Sequence, residues 1–355
     1  MKQTLFTVGP VEMYPETLRT SGEQLPYFRT PEFSRITLEC ESLILGLAEA
    51  PEHSRAIFLT ASGTGAMEAA VINTLSREDK ALIVIGGGFG RRYAEICDDC
   101  HIPYDTIVLE PGRSLDPDRL RAMDLMAYKA LLINAHETST GLLYEIQAIG
   151  DICRENGILF IVDAISAFLC DDISMERMGI DVLIISSQKA LALSPGLSIL
   201  AISPKALRLI PGIRPESHYF GLSKYLADGA RGQTPFTPAV GVILQLRGRL
   251  GSIAPIGAPG MVRNVAELAR HFRDAMAGSG YAIFPDHPSN ALTALSPPYG
   301  FPAYEVYTRL KDEYGLIVTP NGGALKDKVF RVGHMGNLTF ADLDALAKAL
   351  RKVAL

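Results

Sequence analysis

Short apolar runs recur along the first two thirds of the chain, separated by segments that mix apolar and polar residues. Six of these runs are nearly continuous and most are rich in β-branched residues: AIFLT (56–60), ALIVI (81–85), ALLIN (130–134), ILFIVD (158–163), VLIIS (182–186) and LSILAI (197–202). A strand that helices cover on both faces is apolar at almost every position, so this pattern predicts a mostly parallel central sheet.

The segments between the runs, such as AMEAAVINTLS and EIQAIGDICRENG, have the spacing of amphipathic helices, and the alternation favours an open α/β sheet. After about residue 240 the pattern changes. Two helical segments, AVGVILQLRGRLG and VRNVAELARHFRDAMAGSG, flank the Pro/Gly-rich stretch SIAPIGAPG, and helix and strand patterns then alternate. We therefore expect an N-terminal arm (1–15), a large α/β domain (16–255) and a smaller α+β C-terminal domain (256–355).

Composition narrows the class of protein. The chain has 355 residues, of which 48% are hydrophobic, which is enough for a substantial core. Its net charge of −5, with no block of like charges, does not favour a nucleic acid as partner. No apolar run is long enough to span a membrane, and the first residues do not resemble a signal peptide. Five scattered cysteines fit reduced thiols, so we expect a cytoplasmic protein.

One cysteine cluster raises the question of a metal. ICDDCHI places Cys97, Cys100 and His101 close together, but a structural zinc site needs four ligands and no second pair follows. We expect no metal site here.

Ligands of open α/β sheets bind beyond the carboxyl ends of the strands, so the residues after each run are informative. After AIFLT, the small residues Ser62, Gly63, Thr64 and Gly65 precede a helix that we expect to begin near Ala66. Free backbone N–H groups there suit a phosphate, although an ordinary helix cap explains the same residues equally well.

After ALIVI comes GGGFG, with Phe89 among four glycines. The glycine spacing does not match a dinucleotide-binding fingerprint, which disfavours an NAD-dependent dehydrogenase. Glycines that clear space around Phe89 would suit a platform for a flat ligand, whereas a plain turn with a core phenylalanine is at least as compatible with this segment.

Three further strand ends carry polar residues. HETST (136–140) follows ALLIN, Asp163 ends the next run, and Ser187, Gln188 and Lys189 follow VLIIS. Burial raises the pKa of a carboxyl and lowers that of an amine unless a partner compensates. The spacing of Asp163 and Lys189 is consistent with one β–α–β step between neighbouring strands.

Together these features fit pyridoxal phosphate. That cofactor needs a lysine for a Schiff base and an acid for its ring nitrogen, and a helix N-terminus and an aromatic ring suit its phosphate and its flat ring. A nicotinamide cofactor would not need the lysine.

The chain resembles the class V aminotransferases, which have the pyridoxal-phosphate-dependent fold type I. It is most similar to their alanine–glyoxylate / serine–pyruvate branch, with 2-aminoethylphosphonate–pyruvate transaminases as close relatives. The resemblance covers nearly the whole chain and rests on these motifs: TVGPVEMYP, FRTPEF, ASGTGAMEAA, GGGFGRR, HETSTG, VDAISAF, SSQKAL, LKDEYGLIVTP and FRVGHMG.

The resemblance implies roles for residues at matching positions. Lys189 would bond covalently to the cofactor, Asp163 would pair with its ring nitrogen, and Phe89 would stack on the ring. Thr138 would lie by the phenolic oxygen, and Arg331 would bind the substrate carboxylate, a task that suits a bidentate guanidinium.

The remaining implied contacts concern the phosphate and a second subunit. The phosphate would be bound by Ser62, Gly63, Thr64 and Gln188. Thr234 and Thr237, in TPFTPAV, would reach the phosphate of the partner subunit, which implies a homodimer with its active site at the subunit interface.

Two departures from the family leave the substrate open but not the cofactor. Phe28 stands where relatives often have a histidine, and the segment 11–13 differs where the substrate side chain is met.

The implied reaction is ping-pong transamination from a small amino acid of the alanine or serine type to glyoxylate or pyruvate. The alternative is transamination of 2-aminoethylphosphonate with pyruvate. A cysteine desulfurase would need a cysteine on a mobile loop and usually a histidine before the lysine, but Gln188 precedes Lys189 and no cysteine follows Cys170. A non-catalytic pyridoxal-phosphate-binding regulator would normally carry an extra DNA-binding module, for which the chain has no room.

Simpler structural roles remain for several residues. Arg331 would then be a surface residue on a strand and Thr138 a helix cap. We expect His136 and His334 to be hydrogen-bonded structural groups rather than acid–base catalysts.

Overall fold

The computed structural model describes residues 3–298 and 300–353. Its strands are β1 (Thr4–Phe6), β2 (Arg55–Leu59), β3 (Ala81–Ile85), β4 (Tyr104–Val108), β5 (Ala130–Asn134), β6 (His136–Glu137), β7 (Leu142–Leu143), β8 (Leu159–Asp163), β9 (Val182–Ser186), β10 (Ser198–Ile202), β11 (Ala282–Ile283), β12 (Leu292–Ser296), β13 (Leu316–Pro320) and β14 (Phe330–Gly333). Its α-helices are α1 (Pro15–Ser21), α2 (Pro31–Leu47), α3 (Gly63–Thr74), α4 (Gly88–Asp99), α5 (Pro117–Arg121), α6 (Ile146–Glu155), α7 (Pro204–Leu207), α8 (Leu222–Gly229), α9 (Val240–Ile253), α10 (Gly257–Met276), α11 (Ala303–Arg309) and α12 (Phe340–Val353).

The central sheet has seven strands in the order β2-β10-β9-β8-β5-β3-β4. All six predicted runs form strands of this sheet, and only β10 runs antiparallel to its neighbours. The prediction of a mostly parallel central sheet is confirmed. The prediction missed β4, an edge strand in which only Ile107 is buried, because such a strand carries no continuous apolar run.

Each central strand contributes to two apolar cores, one on each face of the sheet. In β9, Leu183 and Ile185 belong to one core, whereas Val182 and Ile184 belong to the other. The side chains of a strand point alternately to opposite faces, so a strand covered on both sides is apolar throughout.

A second sheet has five strands in the order β1-β13-β14-β12-β11. Four of them come from the C-terminal part of the chain, but β1 comes from the N-terminal arm and pairs in parallel with β13. The arm therefore supplies an edge strand to the C-terminal sheet, which the sequence did not indicate.

The helices near residue 255 differ from the prediction in one respect. Helix α10 begins at Gly257, inside the Pro/Gly-rich stretch, rather than after it. Pro259 lies in the first turn, where an N–H group has no acceptor within the helix, so proline is tolerated there. Within residues 3–298 and 300–353, no helix is both long enough and apolar enough to cross a bilayer.

Gly150 offers a test of how closely α6 packs on the central sheet. A Cβ atom at this position would overlap the backbone carbonyl of Met178 and approach Cε1 of Phe160 to 3.1 Å. Gly150→Ala should therefore lower the free energy of unfolding by about 1–3 kcal/mol, although alanine is the better helix former. Denaturant titration measures this change.

Gly248 in α9 is the matched control, because a Cβ atom there meets nothing within 4 Å. Gly248→Ala should raise the free energy of unfolding by roughly 0.5–1 kcal/mol. Equal effects of the two substitutions would show that α6 does not pack as described.

Candidate active site

The predicted site residues meet at the carboxyl ends of neighbouring strands. Strands β8 and β9 are parallel neighbours, so Asp163 at the end of β8 and Lys189 just after β9 lie at one edge of the sheet. The connection between them differs from the expected β–α–β step, because residues 164–181 form turns and no helix. The helices α3 and α4 begin at the same edge, after β2 and β3.

Lys189 is buried and its amine contacts the N-terminal arm. Its Nζ donates to the carbonyl of Val8 at 2.5 Å. Its side chain also lies against Gly9, where a Cβ atom would be 2.7 Å from Cδ of the lysine, and the φ of Gly9 is +120°. Only glycine readily meets both requirements, so the arm has to pass the lysine at this residue.

Burial lowers the pKa of Lys189 to about 8. The charge of Asp163 opposes this shift, whereas the charge of Arg331 adds to it. The lysine therefore loses its proton much closer to neutral pH than an exposed lysine does.

Asp163 shifts in the opposite direction. Burial raises the pKa of its carboxyl to about 6. Two groups oppose this rise: the backbone N–H of Ile165, which donates to Oδ1 at 2.8 Å, and the charge of Lys189. Among the described residues no arginine, lysine or histidine forms a salt bridge with this carboxyl. A cationic ring nitrogen would supply the partner that the carboxylate lacks, so the residue fits pyridoxal phosphate.

The expected phosphate-binding segment is the first turn of α3. The helix begins at Gly63 and not near Ala66 as predicted, because the small residues form the first turn itself. Ser62 is its N-cap, and the Ser62 side chain makes no capping hydrogen bond. The N–H groups of residues 63–65 precede the first backbone hydrogen bond of the helix, from Ala66 to Ser62, so they are available to an anion. A Cβ atom at Gly63 would lie 3.6 Å from Cβ of Ser186, and the hydroxyl of Ser186 donates to Oε1 of Gln188 at 2.6 Å.

Phe89 lies in the first turn of α4, with its side chain half-buried. The guanidinium of Arg92 lies 4.8 Å from the centre of its ring. The sequence left open whether the glycines around Phe89 clear space for its ring, and two of them instead make room for other side chains. A Cβ atom at Gly86 would overlap Tyr144, and one at Gly87 would come within 2.5 Å of the carboxyl carbon of Glu137.

Thr138 lies between β6 and β7 and does not cap a helix. Its hydroxyl forms a 2.8 Å hydrogen bond with the hydroxyl of Ser166, and both residues are buried. Sequence reasoning missed Ser166, although it stands three residues after Asp163 in the segment VDAISAF.

Arg331 is in β14 and is not a surface residue, since only 9% of it is exposed. It donates to the carbonyls of Thr138 at 3.1 Å and Pro320 at 2.6 Å. Burial lowers the pKa of its guanidinium to about 10, and the nearby charge of Glu137 opposes that shift. These contacts bring the C-terminal sheet next to the strand ends that carry Asp163 and Lys189.

Thr234 and Thr237 are not brought to Lys189 within the described chain. Thr234 is buried and donates to the carbonyl of Phe236 at 2.6 Å, whereas Thr237 is exposed. Arg29 donates to the carbonyl of Thr234 at 2.7 Å and lies 4.7 Å from the ring of Phe28.

His136 departs from the expectation of a hydrogen-bonded structural group. It is buried, and neither ring nitrogen meets the geometry of a full hydrogen bond among residues 3–298 and 300–353, although the backbone of Ser166 lies close enough to favour the protonated ring. Burial, helped by the charge of Lys189, lowers its pKa to about 3, so the ring is neutral at physiological pH. For His334 the expectation holds at one nitrogen, because its Nε2 bonds to the hydroxyl of Thr293 at 2.8 Å and its Nδ1 has no partner in the described structure.

The cysteines show no reactive thiol. Burial raises the pKa of Cys97 to about 12 and that of Cys170 well above its ordinary value. Within the described ranges, no three side chains of His, Cys, Asp or Glu are grouped to hold a metal ion.

The chain belongs to the class-V aminotransferase family, whose model (Aminotransferase class-V) matches residues 25–229. It is an aminotransferase with the pyridoxal-phosphate-dependent fold type I, and pyridoxal phosphate is its cofactor.

Three similar proteins cover nearly all of the chain. A protein named the small subunit of the soluble hydrogenase of Synechococcus sp. is 30% identical over 99% of this chain and 93% of its own length. The L-aspartate–glyoxylate aminotransferase of Paracoccus denitrificans is 29% identical over 95% of this chain and 87% of its own. The crystal structure of the alanine–glyoxylate aminotransferase of Nostoc sp. superposes with a TM-score of 0.94 at 25% identity, covering 99% of this chain and 95% of that one.

The raised pKa of Asp163 predicts that the stability of the cofactor-free protein depends on pH. A carboxyl whose pKa is higher in the folded than in the unfolded state stabilises the fold fully below about pH 4, and that stability is lost as pH rises through about 6. An asparagine side chain does not ionise, so Asp163→Asn loses no stability as pH rises. The cofactor-free variant should therefore be more stable than wild type at pH 8 by roughly 2–3 kcal/mol. At pH 4 the difference should be near zero.

Denaturant titrations of cofactor-free protein at the two pH values measure this effect. Asp118→Asn, at an exposed position of α5, is the control and should show no gain at pH 8. A wild-type protein as stable as Asp163→Asn at pH 8 would mean that the carboxylate has a partner that the structure does not show.

Proposed function

We propose that this aminotransferase transfers the amino group of a small amino acid, of the alanine or serine type, to a small 2-oxo acid, glyoxylate or pyruvate, by a ping-pong mechanism. The observation that carries the proposal is the buried amine of Lys189, whose pKa falls to about 8 beside the buried carboxyl of Asp163. Arg331 lies at the same edge of the sheet and supplies a buried cation for a carboxylate.

The residues present would hold pyridoxal phosphate at three points. Asp163 would keep the ring nitrogen protonated, the first turn of α3 would bind the phosphate, and Phe89 would pack against the ring. When bound, the cofactor supplies an aldehyde that bonds to amines and a ring system that accepts the electron pair released at the substrate Cα.

Lys189 acts as the base in this proposal. A neutral amine is needed both to bond to the cofactor and to take the proton from the substrate Cα. With a pKa of about 8, a useful fraction of Lys189 is neutral at pH 7–8, whereas an exposed lysine is almost fully charged there. In the cofactor-free chain the hydrogen bond to Val8 orients the amine.

Arg331 binds the substrate carboxylate in this proposal. Its two hydrogen bonds to backbone carbonyls fix the plane of the guanidinium, so that little side-chain entropy is lost when an acid binds. The substrate carboxylate also offsets part of the cost of burying this cation, which forms no salt bridge among the described residues.

The choice of amino acceptor is supported by the names of similar enzymes. The names of the Paracoccus and the Nostoc enzymes both contain glyoxylate, whereas their donors, aspartate and alanine, differ. Glyoxylate is therefore the better supported of the two substrates, and the donor has to be found by experiment. The cytoplasmic location expected from the sequence stays a prediction.

We also propose a homodimer in which Thr237 reaches the site of the other subunit. Thr237 is exposed and its loop is bound to its own chain through Arg29 and Thr234. Four large apolar side chains are exposed on α1, α2 and the segment between them: Leu18, Leu25, Tyr27 and Leu38. A second copy would cover such a surface, so the mass in solution should be twice 38.4 kDa.

Covalent bonding to the cofactor tests Lys189 directly. Protein incubated with pyridoxal phosphate and reduced with borohydride should carry the cofactor on Lys189, as found by peptide mass spectrometry. Lys189→Ala should lose that label, whereas Lys205→Ala, at a lysine held on the opposite edge of the sheet by Asp181, should keep it. Label on another lysine, or no label, would refute the assignment.

A donor screen tests the reaction. With glyoxylate as acceptor, L-alanine or L-serine should be converted to the 2-oxo product, and Arg331→Lys should raise KM for the donor by about 10-fold or more, because a bidentate contact is lost. L-aspartate and 2-aminoethylphosphonate are the competing donors. Turnover of either in preference to alanine and serine would replace the proposed donor.

A further inference from the structure

Glu137 is the most completely buried acid near the site, with none of its surface exposed. No residue of the described chain pairs with it in a salt bridge. A buried carboxylate is costly unless hydrogen bonds replace its hydration. The roles implied by the family resemblance do not include this residue.

The hydrogen bonds of Glu137 are directed at the start of α4. Its carboxylate accepts from the backbone N–H of Gly90 at 3.1 Å and that of Phe89 at 3.4 Å. It also accepts from Ser139, through the hydroxyl at 2.5 Å and the N–H at 3.2 Å, and from the side-chain amide of Asn134 at 3.2 Å. These donors satisfy both carboxylate oxygens.

Helix α4 has no cap of its own. Its N-cap residue is Gly87, which has no side chain, so the first N–H groups of the helix need acceptors from elsewhere. Glu137 supplies two of them, and the hydroxyl of Ser139 lies 3.4 Å from the N–H of Gly88. The glycine is required for this arrangement, because a Cβ atom at residue 87 would come within 2.5 Å of the carboxyl carbon of Glu137.

The same short segment also contacts the C-terminal sheet. Arg331 donates to the carbonyl of Thr138, and the side-chain amide of Asn321 donates to the carbonyl of Ser139 at 3.0 Å. Residues 137–139 therefore connect the turn that carries Phe89 with the strand that carries Arg331. Glu137 also places a negative charge close enough to Arg331 to offset part of the effect of burial on its pKa.

We propose that Glu137 is a positioning residue, which caps α4 from outside the helix and thereby holds Phe89 and Arg331 in fixed relation to each other. This inference rests on the proposed function, in which Phe89 packs against the cofactor and Arg331 binds the substrate carboxylate. Glu137 itself would contact neither the cofactor nor the substrate.

Glu137→Gln is the direct test. An amide has one acceptor oxygen, so its NH₂ group must face N–H donors on one side, either those of Phe89 and Ser139 or those of Gly90 and Asn134. The cofactor-free variant should bind pyridoxal phosphate about 10-fold or more weakly, as expected when a hydrogen bond to a charged group is lost. At saturating cofactor, its visible circular dichroism band should be weaker, and KM for the amino donor should rise more than kcat falls.

Glu95→Gln is the matched control, since Glu95 is an exposed residue of the same helix. It should bind the cofactor and give the visible band as wild type does. If Glu137→Gln matched this control in all three measurements, the proposal would be wrong.

Two further outcomes are separable. If Glu137→Gln does not fold, Ser139→Ala is the second variant, because it removes one donor to Glu137 and the acceptor near Gly88. It should give smaller changes in the same direction. If Ser139→Ala behaved as wild type does, the proposal would be overturned. If wild-type protein itself bound no pyridoxal phosphate, the function proposed above would fail, whereas a failure confined to the variants concerns Glu137 alone.

Discussion

The arrangement of this protein depends on the burial of two ionisable groups, Lys189 and Asp163, at the ends of neighbouring strands. Burial disfavours the charged form of both, so it lowers the pKa of the amine to about 8 and raises that of the carboxyl to about 6. The two groups do not form a salt bridge that would restore their ordinary values. The protein therefore keeps a base that can be neutral near physiological pH and an acid that forms no salt bridge with any residue of the described chain. A cofactor with an aldehyde and a cationic ring nitrogen satisfies both.

This constraint explains why the site lies where three parts of the chain meet. The central sheet supplies the strand ends, the N-terminal arm covers the lysine through Val8 and Gly9, and the C-terminal sheet brings Arg331 against Thr138. Because water is largely excluded there, each remaining charge or dipole acts strongly on its neighbours. Binding of the cofactor should therefore stabilise the folded state in addition to making catalysis possible.

Much of the fold could be predicted from the sequence because buried strands leave a clear signal. Strands β2, β3, β5, β8, β9 and β10 are apolar at nearly every position, and parallel strands end at a common edge, so the residues following them were expected to gather. Lys189 and Asp163 indeed lie together there. The sheet edge strand β4 carried no such signal, because most of its side chains are not buried.

The parts that could not be predicted depend on contacts between distant segments. The hydrogen bond of Lys189 to Val8 spans 181 residues, and nothing in either local segment indicates it. Glu137 caps a helix that lies 47 residues before it, so its role could not be read from the HETST motif. Ala192 adopts a left-handed conformation, with φ of 55°, in the turn after Lys189, and its neighbours in the sequence give no sign of this strained position.

The chemistry of the site depends on Lys189 being a buried lysine whose amine loses its proton near neutral pH. Nuclear magnetic resonance of cofactor-free protein with ¹³C at the lysine Cε positions measures the pKa of each amine, and Lys189→Arg identifies the signal of Lys189. We expect a midpoint close to pH 8 for that signal. A midpoint at the ordinary lysine value of about 10.4 would contradict it, because the amine would then be as accessible to water as those on the surface.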